Sequence, residues 1–481
     1  MKKLLIFLGI LVALVVLAGV AILFLVDVNA YKPRIDSAVS DALGMEFRIL
    51  GKARLRLFPS ASIVLSDVRL RNRGTDLAAA EALRVGVKLR PLLSRQVVIT
   101  ELVLEKPVIR IEKGTDGKFN YETPPRPAKP GAKEGEGPSA SLTVSSGSVS
   151  AGKIVYVDRK AKSETRIDAI DLSMRDLSLR TGPGMELANG ISFSGDLSVK
   201  EMKTKDLTVS DLRAKVTAGA GVYEIRPFTM KLFGGAGEGG LRIDLSGKKA
   251  AMKVNYTLTK FRAEEPLAAL SRRKYLSGPM TVTPDLSLRG KGANEMKRTL
   301  SGTVSLRGDG LTLHGMEIDE ILSKAEEAKN LNLADVGAFL LTGPLGPAAV
   351  KGYRFGDLYR SATREGETRI PRLVSAWTVR DGVAVARDVA FSTEKNRIAL
   401  KGKLDLVNGR FVDVTVAVLD GKGCAKVRQK ISGPFAHPRM DKTSVLESFA
   451  EPILGAFGLA MERIGRTSCE PFYTGTVQHP K

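Results

Sequence analysis

Histidine, cysteine, serine and paired carboxylates are the side chains from which a catalytic or metal site would be built, and here their spacing assembles nothing recognisable. His314, His437 and His479 are widely separated. His314 follows Leu311-Thr312-Leu313 and reads as a strand end, while His437 precedes Pro438 and reads as part of a turn. A hydrolase serine would sit in Gly-x-Ser-x-Gly and a zinc protease would show His-Glu-x-x-His, and the chain has neither. Asp67, Asp171, Asp285 and Asp388 adjoin strand-like stretches, where turn formation or solvation accounts for them. The residues therefore point away from an enzyme, and they imply no cofactor and no metal.

The two cysteines, Cys424 and Cys469, are close to the carboxyl end. Export would place them in an oxidising compartment, where a disulfide would tie the end of the chain to the sheet before it. Two unconnected buried thiols are the alternative, and two ligands alone do not make a zinc site.

Export itself is read from the amino end. Leu4 to Val26 is an unbroken apolar run, preceded by Lys2 and Lys3 and followed by Asp27. A helix of roughly 20 such residues crosses a bilayer core of about 30 Å with its backbone bonds satisfied internally. A cleaved signal ending near Val28-Asn29-Ala30 is the rival reading, but signal cores run to only about 7 to 15 apolar residues. The lysines favour a cytoplasmic amino end, so residues 30 to 481 lie across the membrane, in the periplasm if the source is a bacterium. The expected location is the inner membrane, with a single pass.

Composition then limits what the exported part can be. Apolar residues make up 43% of the chain, aromatics only 6%, and there are 48 glycines, a mixture that favours many turns and strands around an aliphatic core. The net charge of +22 is spread thinly along the strands, which argues against a nucleic-acid interface and leaves two readings, an attraction to anionic envelope lipid or a simply solvated basic surface.

The pattern predicts a mainly β protein with peripheral helices. An elongated, curved antiparallel sheet would follow the anchor, form an open groove and be capped by a helical carboxyl segment. Five divisions are expected: stub and anchor at 1–29, a first β unit at 30–122, a Pro/Gly-rich loop at 123–140, a β-groove domain at 141–442 and a helical, disulfide-tied end at 443–481. Within these, Ala30 to Leu43 reads as a helix stopped by Gly44, and Pro107 should break the strand pattern of Val97 to Glu112. The glycines from Gly234 to Gly240 read as a flexible turn. Helices are expected over Ala263 to Leu276 and Ile318 to Ala328, a helix or turn over Leu333 to Leu341, and over Thr443 to Ile464 a helix kinked at Pro452 or two short helices. Strands are expected over Ile370 to Val385 and Arg387 to Ser392. Val412, Val414, Val416 and Val418 alternate strictly and are the candidate apolar face of the groove. An acyl chain could lie on such a face, or the face could close into an ordinary core.

In order along the chain, several short motifs resemble the AsmA family of bacterial inner-membrane-anchored proteins. They are Asp27-Val28-Asn29-Ala30-Tyr31-Lys32-Pro33 behind the anchor, Gly51-Lys52-Ala53-Arg54-Leu55-Arg56-Leu57-Phe58-Pro59, Asp285-Leu286-Ser287-Leu288-Arg289-Gly290, Arg387-Asp388-Val389-Ala390, Asn396-Arg397-Ile398-Ala399, Gly423-Cys424 and Cys469-Glu470-Pro471-Phe472-Tyr473-Thr474-Gly475-Thr476-Val477. The resemblance implies a long β groove, related to bridge-like lipid transfer proteins, and a role in outer-membrane lipid homeostasis. It also admits a non-enzymatic assembly factor that works with a periplasmic or outer-membrane protein partner.

Overall fold

The computed structural model describes residues 28–56, 60–72, 74–88, 98–122, 140–181, 187–204, 207–268, 276–323, 366–441, 444–445 and 469–480. The protein is mainly β, and the chain divides into two compact units between Met230 and Lys231. The proposed anchor, Leu4 to Val26, lies outside the described residues. Among those described, no helix is long and apolar enough to cross a membrane.

The first unit opens with a 3₁₀ turn, Val28–Tyr31, leading into helix α1, Lys32–Leu43. Pro33 falls in the first turn, where its missing N–H is no loss, and Gly44 closes the helix at φ 67 by donating to Ser40 O. Strands β1 (Glu46–Ile49) and β2 (Ala53–Arg56) lie end to end along β3 (Ser62–Asn72), which pairs with β4 (Thr75–Val87). On the other side of β4, β5 (Ile99–Glu105) and β6 (Val108–Lys113) share one line, broken at Lys106-Pro107 where proline withholds a ladder donor. Next come β7 (Ala140–Asp158), β8 (Ser163–Thr181), the one-turn helix α2 (Leu187–Gly190), β9 (Ile191–Lys203) and β10 (Thr208–Gly219), whose strands pair antiparallel in that order. β11 (Val222–Leu232) contains the division between the units.

The sheet of this unit is mixed, which corrects the expectation of an antiparallel one. β7 runs parallel to both β5 and β6. Parallel neighbours require a long crossover, and the stretch between Lys113 and Ala140 supplies it. The Pro/Gly-rich segment 123–140 therefore does not separate two β units, because the strands on either side of it are hydrogen-bonded neighbours. Residues 123–139 themselves lie outside the described set.

The second unit contains β12 (Gly235–Asp244), β13 (Ala250–Arg262), α3 (Glu264–Ala268), β14 (Leu276–Ser277), β15 (Pro279–Gly290), α4 (Ala293–Thr299), β16 (Ser301–His314) and α5 (Ile318–Ser323). β17 (Glu367–Arg380), β18 (Val383–Ser392), β19 (Arg397–Asp405), β20 (Arg410–Leu419), β21 (Ala425–Pro434), β22 (Arg439–Met440) and β23 (Ser444–Val445) follow. From β12 to β21 the long strands form an antiparallel meander in sequence order, while β14 adds to β16, and β22 and β23 to β21.

Several local expectations change. The strand drawn through Ile370 to Val385 turns at Asp381-Gly382, both left-handed (φ 50 and 75), because a two-residue Asp-Gly loop matches the strand twist. Of the expected helix Ala263 to Leu276, only Glu264–Ala268 is helical among the described residues, and Leu276 begins β14. Of Ile318 to Ala328, Ile318–Ser323 is helical and the rest lies outside the described residues, as does Leu333 to Leu341. Within Thr443 to Ile464, Ser444–Val445 is a strand and the remainder is not described, so the expected helical cap falls outside the described residues.

The glycine cluster is a strand, not a flexible turn. Only Phe233-Gly234 turns (φ 52 and 72), and Gly235 to Gly240 belong to β12. The reason is Tyr256 on β13, opposite Gly239. A Cβ on Gly237 would lie 2.1 Å from Tyr256 Oη, and one on Gly239 would lie 2.1 Å from Asn255 O, so the phenol ring rests over bare backbone. Burial pushes the Tyr256 phenol up to about 12.

Two outcomes follow. Gly239→Ala should destabilise the protein by about 1–3 kcal/mol, since the nearest atom is backbone and cannot swing away. The check is the urea midpoint, and an unchanged value would contradict the packing. The raised phenol also makes stability fall as pH climbs from about 10 toward 12, because the unfolded tyrosine ionises first. Alkaline unfolding of Tyr256→Phe should show a shallower decline over that window.

Candidate functional site

Strand register turns the alternation of the sequence into rows that cross the sheet. In the first unit one row reads Ala53, Leu65, Leu83, Leu104, Val149, Leu172, Leu197 and Ala214, each the register partner of the next. A parallel row reads Leu55, Ile63, Val85, Leu102, Gly147, Met174, Gly195 and Val216. Between them, on the opposite face, the row from β7 onward is Ser148, Ser173, Asp196 and Lys215. Successive side chains alternate faces, so one face of eight strand positions is aliphatic and the other becomes polar toward β10.

Among the described residues, the aliphatic face is covered at its β2–β3 end. Val28 of the 3₁₀ turn and Ile35 and Val39 of α1 pack against Ala53, Leu65 and their neighbours Phe47, Ile49, Val68 and Ala80, and these six are buried. Farther along, Leu83, Leu104, Val149, Leu172 and Leu197 are only half-buried. There an open cavity of ≈ 640 Å³ runs over Val149, Leu172, Leu197 and Ala214, with Arg213 and Lys215 among its lining residues. Asp171, read from sequence as a turn residue, accepts the Ala151 N–H at 2.9 Å across the bulge between β7 and β8.

In the second unit a row runs Leu241, Val254, Leu286, Gly302, Val379, Ala384, Leu404 and Phe411. Its first three side chains are half-buried, whereas Val379, Ala384, Leu404 and Phe411 are 2%, 0%, 3% and 7% exposed. Access to apolar surface therefore falls from β12 toward β20.

The four valines singled out on β20 do not form one accessible face. Phe411 opposes Gly433 and Val414 opposes Ile431, so two residues of β20, Val412 and Asp413, match the single Ser432 of β21, with Asp413 left-handed at φ 50 in the bulge. The bulge puts Val412 on the side opposite Val414, Val416 and Val418. Those three are 0%, 0% and 3% exposed, a closed core with Ile398 and Leu400 as register partners.

The other side of β20 is closed by residues 469–480. Val374, Ala390, Ala399 and Ala417 form a row of small side chains, and Tyr473 and Val477 pack on it. Asp388 accepts the Tyr473 hydroxyl, the Thr476 N–H at 3.2 Å and the Thr476 Oγ1 hydroxyl at 2.7 Å. Arg397 donates to Val477 O at 3.3 Å and to Asp420 O at 2.9 Å, and its guanidinium lies 5.7 Å from the Tyr473 ring centroid. Cys424 and Cys469 form a disulfide with 6.2 Å between Cα atoms, and Phe472 N–H donates to Gly423 O at 2.8 Å. Burial, reinforced by the bond to Asp388, pushes the Tyr473 phenol up.

One arrangement of catalytic appearance was invisible in the sequence. His314 contacts Ser277 Oγ through Nε2 at 2.8 Å and Glu367 Oε1 through Nδ1 at 2.9 Å. A serine nucleophile needs N–H donors for the oxyanion, yet the following N–H, that of Gly278, donates to Glu264 Oε2 at 3.1 Å. A carboxylate at that point repels a developing oxyanion, and the trio instead joins the ends of β14, β16 and β17. A second cavity, of ≈ 540 Å³, is polar and lined by Asp319, Glu320, Glu367 and Glu394 beside Arg369 and Lys395. There the Glu320 carboxyl, sharing a hydrogen bond with Glu317, pushes the Glu317 carboxyl up. Asp319 is committed to the Asn396 amide at 2.8 Å, and no metal-ligand group of three is found among the described residues.

Asp388→Ala removes the acceptor for three donors of the strap, each worth about 1 kcal/mol. With the disulfide intact, chymotrypsin should then cut the variant after Phe472 or Tyr473 faster than the parent, as read by mass spectrometry. Equal cutting would mean that Asp388 does not hold the strap. Replacing both cysteines by serine should lower stability by up to about 4 kcal/mol on the chain-entropy account of loop closure.

Comparison with known proteins adds one match. The family model described as the AsmA family fits twice, over residues 1–206 and 185–389. No curated protein and no solved structure matches the chain.

Proposed function

The chain belongs to the AsmA family, and from that membership together with the half-buried apolar rows of its first unit we propose that it handles envelope phospholipid without chemical conversion. In this reading Leu4 to Val26 anchors the protein in the bacterial inner membrane, the two units stand in the periplasm, and acyl chains lie on the aliphatic face. Family membership is consistent with a lipid-related role in the envelope. The observation that carries the finer reading is the stretch Val149, Leu172 and Leu197, half-buried among the described residues, with its cavity of ≈ 640 Å³.

The physical basis is non-directional burial. Each methylene removed from water is worth about 0.8 kcal/mol, so an acyl chain is held without a specific contact and can shift along a uniform row. A charged phosphate head would stay in water beyond the edge of the aliphatic face. Val414 and Val416 are unsuitable for testing this, because a carboxylate at a fully buried position would unfold the protein before it displaced a lipid.

The test uses Leu172→Asp and Leu197→Asp, with Leu197→Met as a control of similar volume. Native mass spectrometry of the folded protein should find retained phospholipid in the parent and the control, and about tenfold less in each aspartate variant. Folded variants that retain lipid at the parent's level would overturn the groove reading. In-cell crosslinking from the strap to one envelope protein, with no lipid captured along the rows, would favour an assembly factor instead.

A further inference from the structure

The end of the first unit where residues 28 onward begin combines exposed apolar side chains with cations that lack acidic partners. Tyr31 is 51% exposed and Leu50 is 54% exposed, the two most exposed large apolar residues described. They are brought together by short bonds. Lys32 Nζ donates to Gly51 O at 2.6 Å, and the Ala53 N–H donates to Asn29 Oδ1 at 2.8 Å, which fastens the 3₁₀ turn to the loop between β1 and β2.

The same part of the unit carries Lys32 and Arg34 on α1, Lys52 just before β2, and Arg54 and Arg56 on β2. None of the five is within ion-pair distance of a carboxylate among the described residues. Arg34 instead lies 5.8 Å from the Tyr31 ring centroid. The contrast with the adjoining strands is local and sharp. Arg48, Arg69, Arg71 and Arg84 each hold an acid, at 3.1, 3.2, 2.9 and 3.0 Å. Nearby Asp36 is committed to the Ile49 N–H at 3.1 Å.

We propose that this end docks on the anionic headgroups of the bilayer from which the chain emerges, with Tyr31 and Leu50 at the interface and the five cations against lipid phosphates. The proposal rests on the reading of Leu4 to Val26 as an anchor. That run ends just before Val28, so the surface has no length of linker to carry it away from the membrane. Tyrosine is favoured at the headgroup level, lysine and arginine keep their stems on apolar surface while their charges reach phosphate, and basic residues near an anionic leaflet are attracted within a Debye length. Docking would orient the first unit so that its apolar rows begin near lipid.

The experiment reconstitutes the full chain in vesicles. Cys424 and Cys469 are paired, so Leu50→Cys offers one thiol for an environment-sensitive fluorophore, and Met440→Cys, 39% exposed in the second unit, serves as the reference. With one-third phosphatidylglycerol, the Leu50 probe should be quenched by brominated acyl chains and protected from aqueous iodide, unlike the reference. Changing Lys52, Arg54 and Arg56 together to Glu, or using phosphatidylcholine alone, should cut the lipid quenching about tenfold. Flotation reads the anchor separately. A chain that floats with both lipid mixtures yet leaves the Leu50 probe open to iodide overturns the docking surface alone, and a chain that floats with neither overturns anchor and docking together. Protection of the probe by an added acidic protein, with no response to lipid, would overturn the bilayer as the occupant.

Discussion

A strand's backbone polar groups must be paired across to the next strand, and that requirement fixes to which face of the sheet each strand side chain points. Once β3 is paired, β4, β5, β7, β8, β9 and β10 inherit its register, and the two-residue period sorts their side chains into aliphatic and polar faces. A slip of one residue would invert a whole strand. The continuous row from Ala53 to Ala214 exists because no such slip is left uncorrected. Where an extra residue does enter, as at Ala151 or Asp413, the bulge takes it up in a left-handed conformation.

The two ends of each apolar face differ in burial, and in the first unit α1 lies over the buried end. Under α1, Leu65 and Val68 are ordinary core. Beyond it, Leu172 and Leu197 have similar chemistry but remain half-buried. In the second unit the same contrast runs from Leu241 to Leu404. The valines of β20 lie at the closed end.

The carboxyl end shows how motifs of little individual meaning acquire one. Arg387-Asp388, Asn396-Arg397, Gly423-Cys424 and the stretch from Cys469 to Val477 are separated in sequence. In space they form one fastening: Asp388 holds Tyr473 and Thr476, Arg397 holds Val477, and the disulfide secures the start of the strap. The row Ala390, Ala399 and Ala417 is small so that the strap can lie close to the sheet. His314 is a parallel case, since its partners Ser277 and Glu367 come from other strands.

The sequence alone determined the properties carried by a residue and its near neighbours. These include β alternation, the helix ending at Gly44, the break at Pro107 and the absence of a serine elbow or zinc motif. It also held the ordered motifs that resemble the AsmA family. It did not determine that β7 would run parallel to β5 and β6, that Gly237 and Gly239 would be a bed for Tyr256, or that Val412 would leave the face of its neighbours. Those outcomes depend on which strand lies alongside and on what lies above it. Alternation specifies that a strand has two faces; only the packing of distant segments decides which face is covered, and so which apolar surface is core and which is available to a ligand.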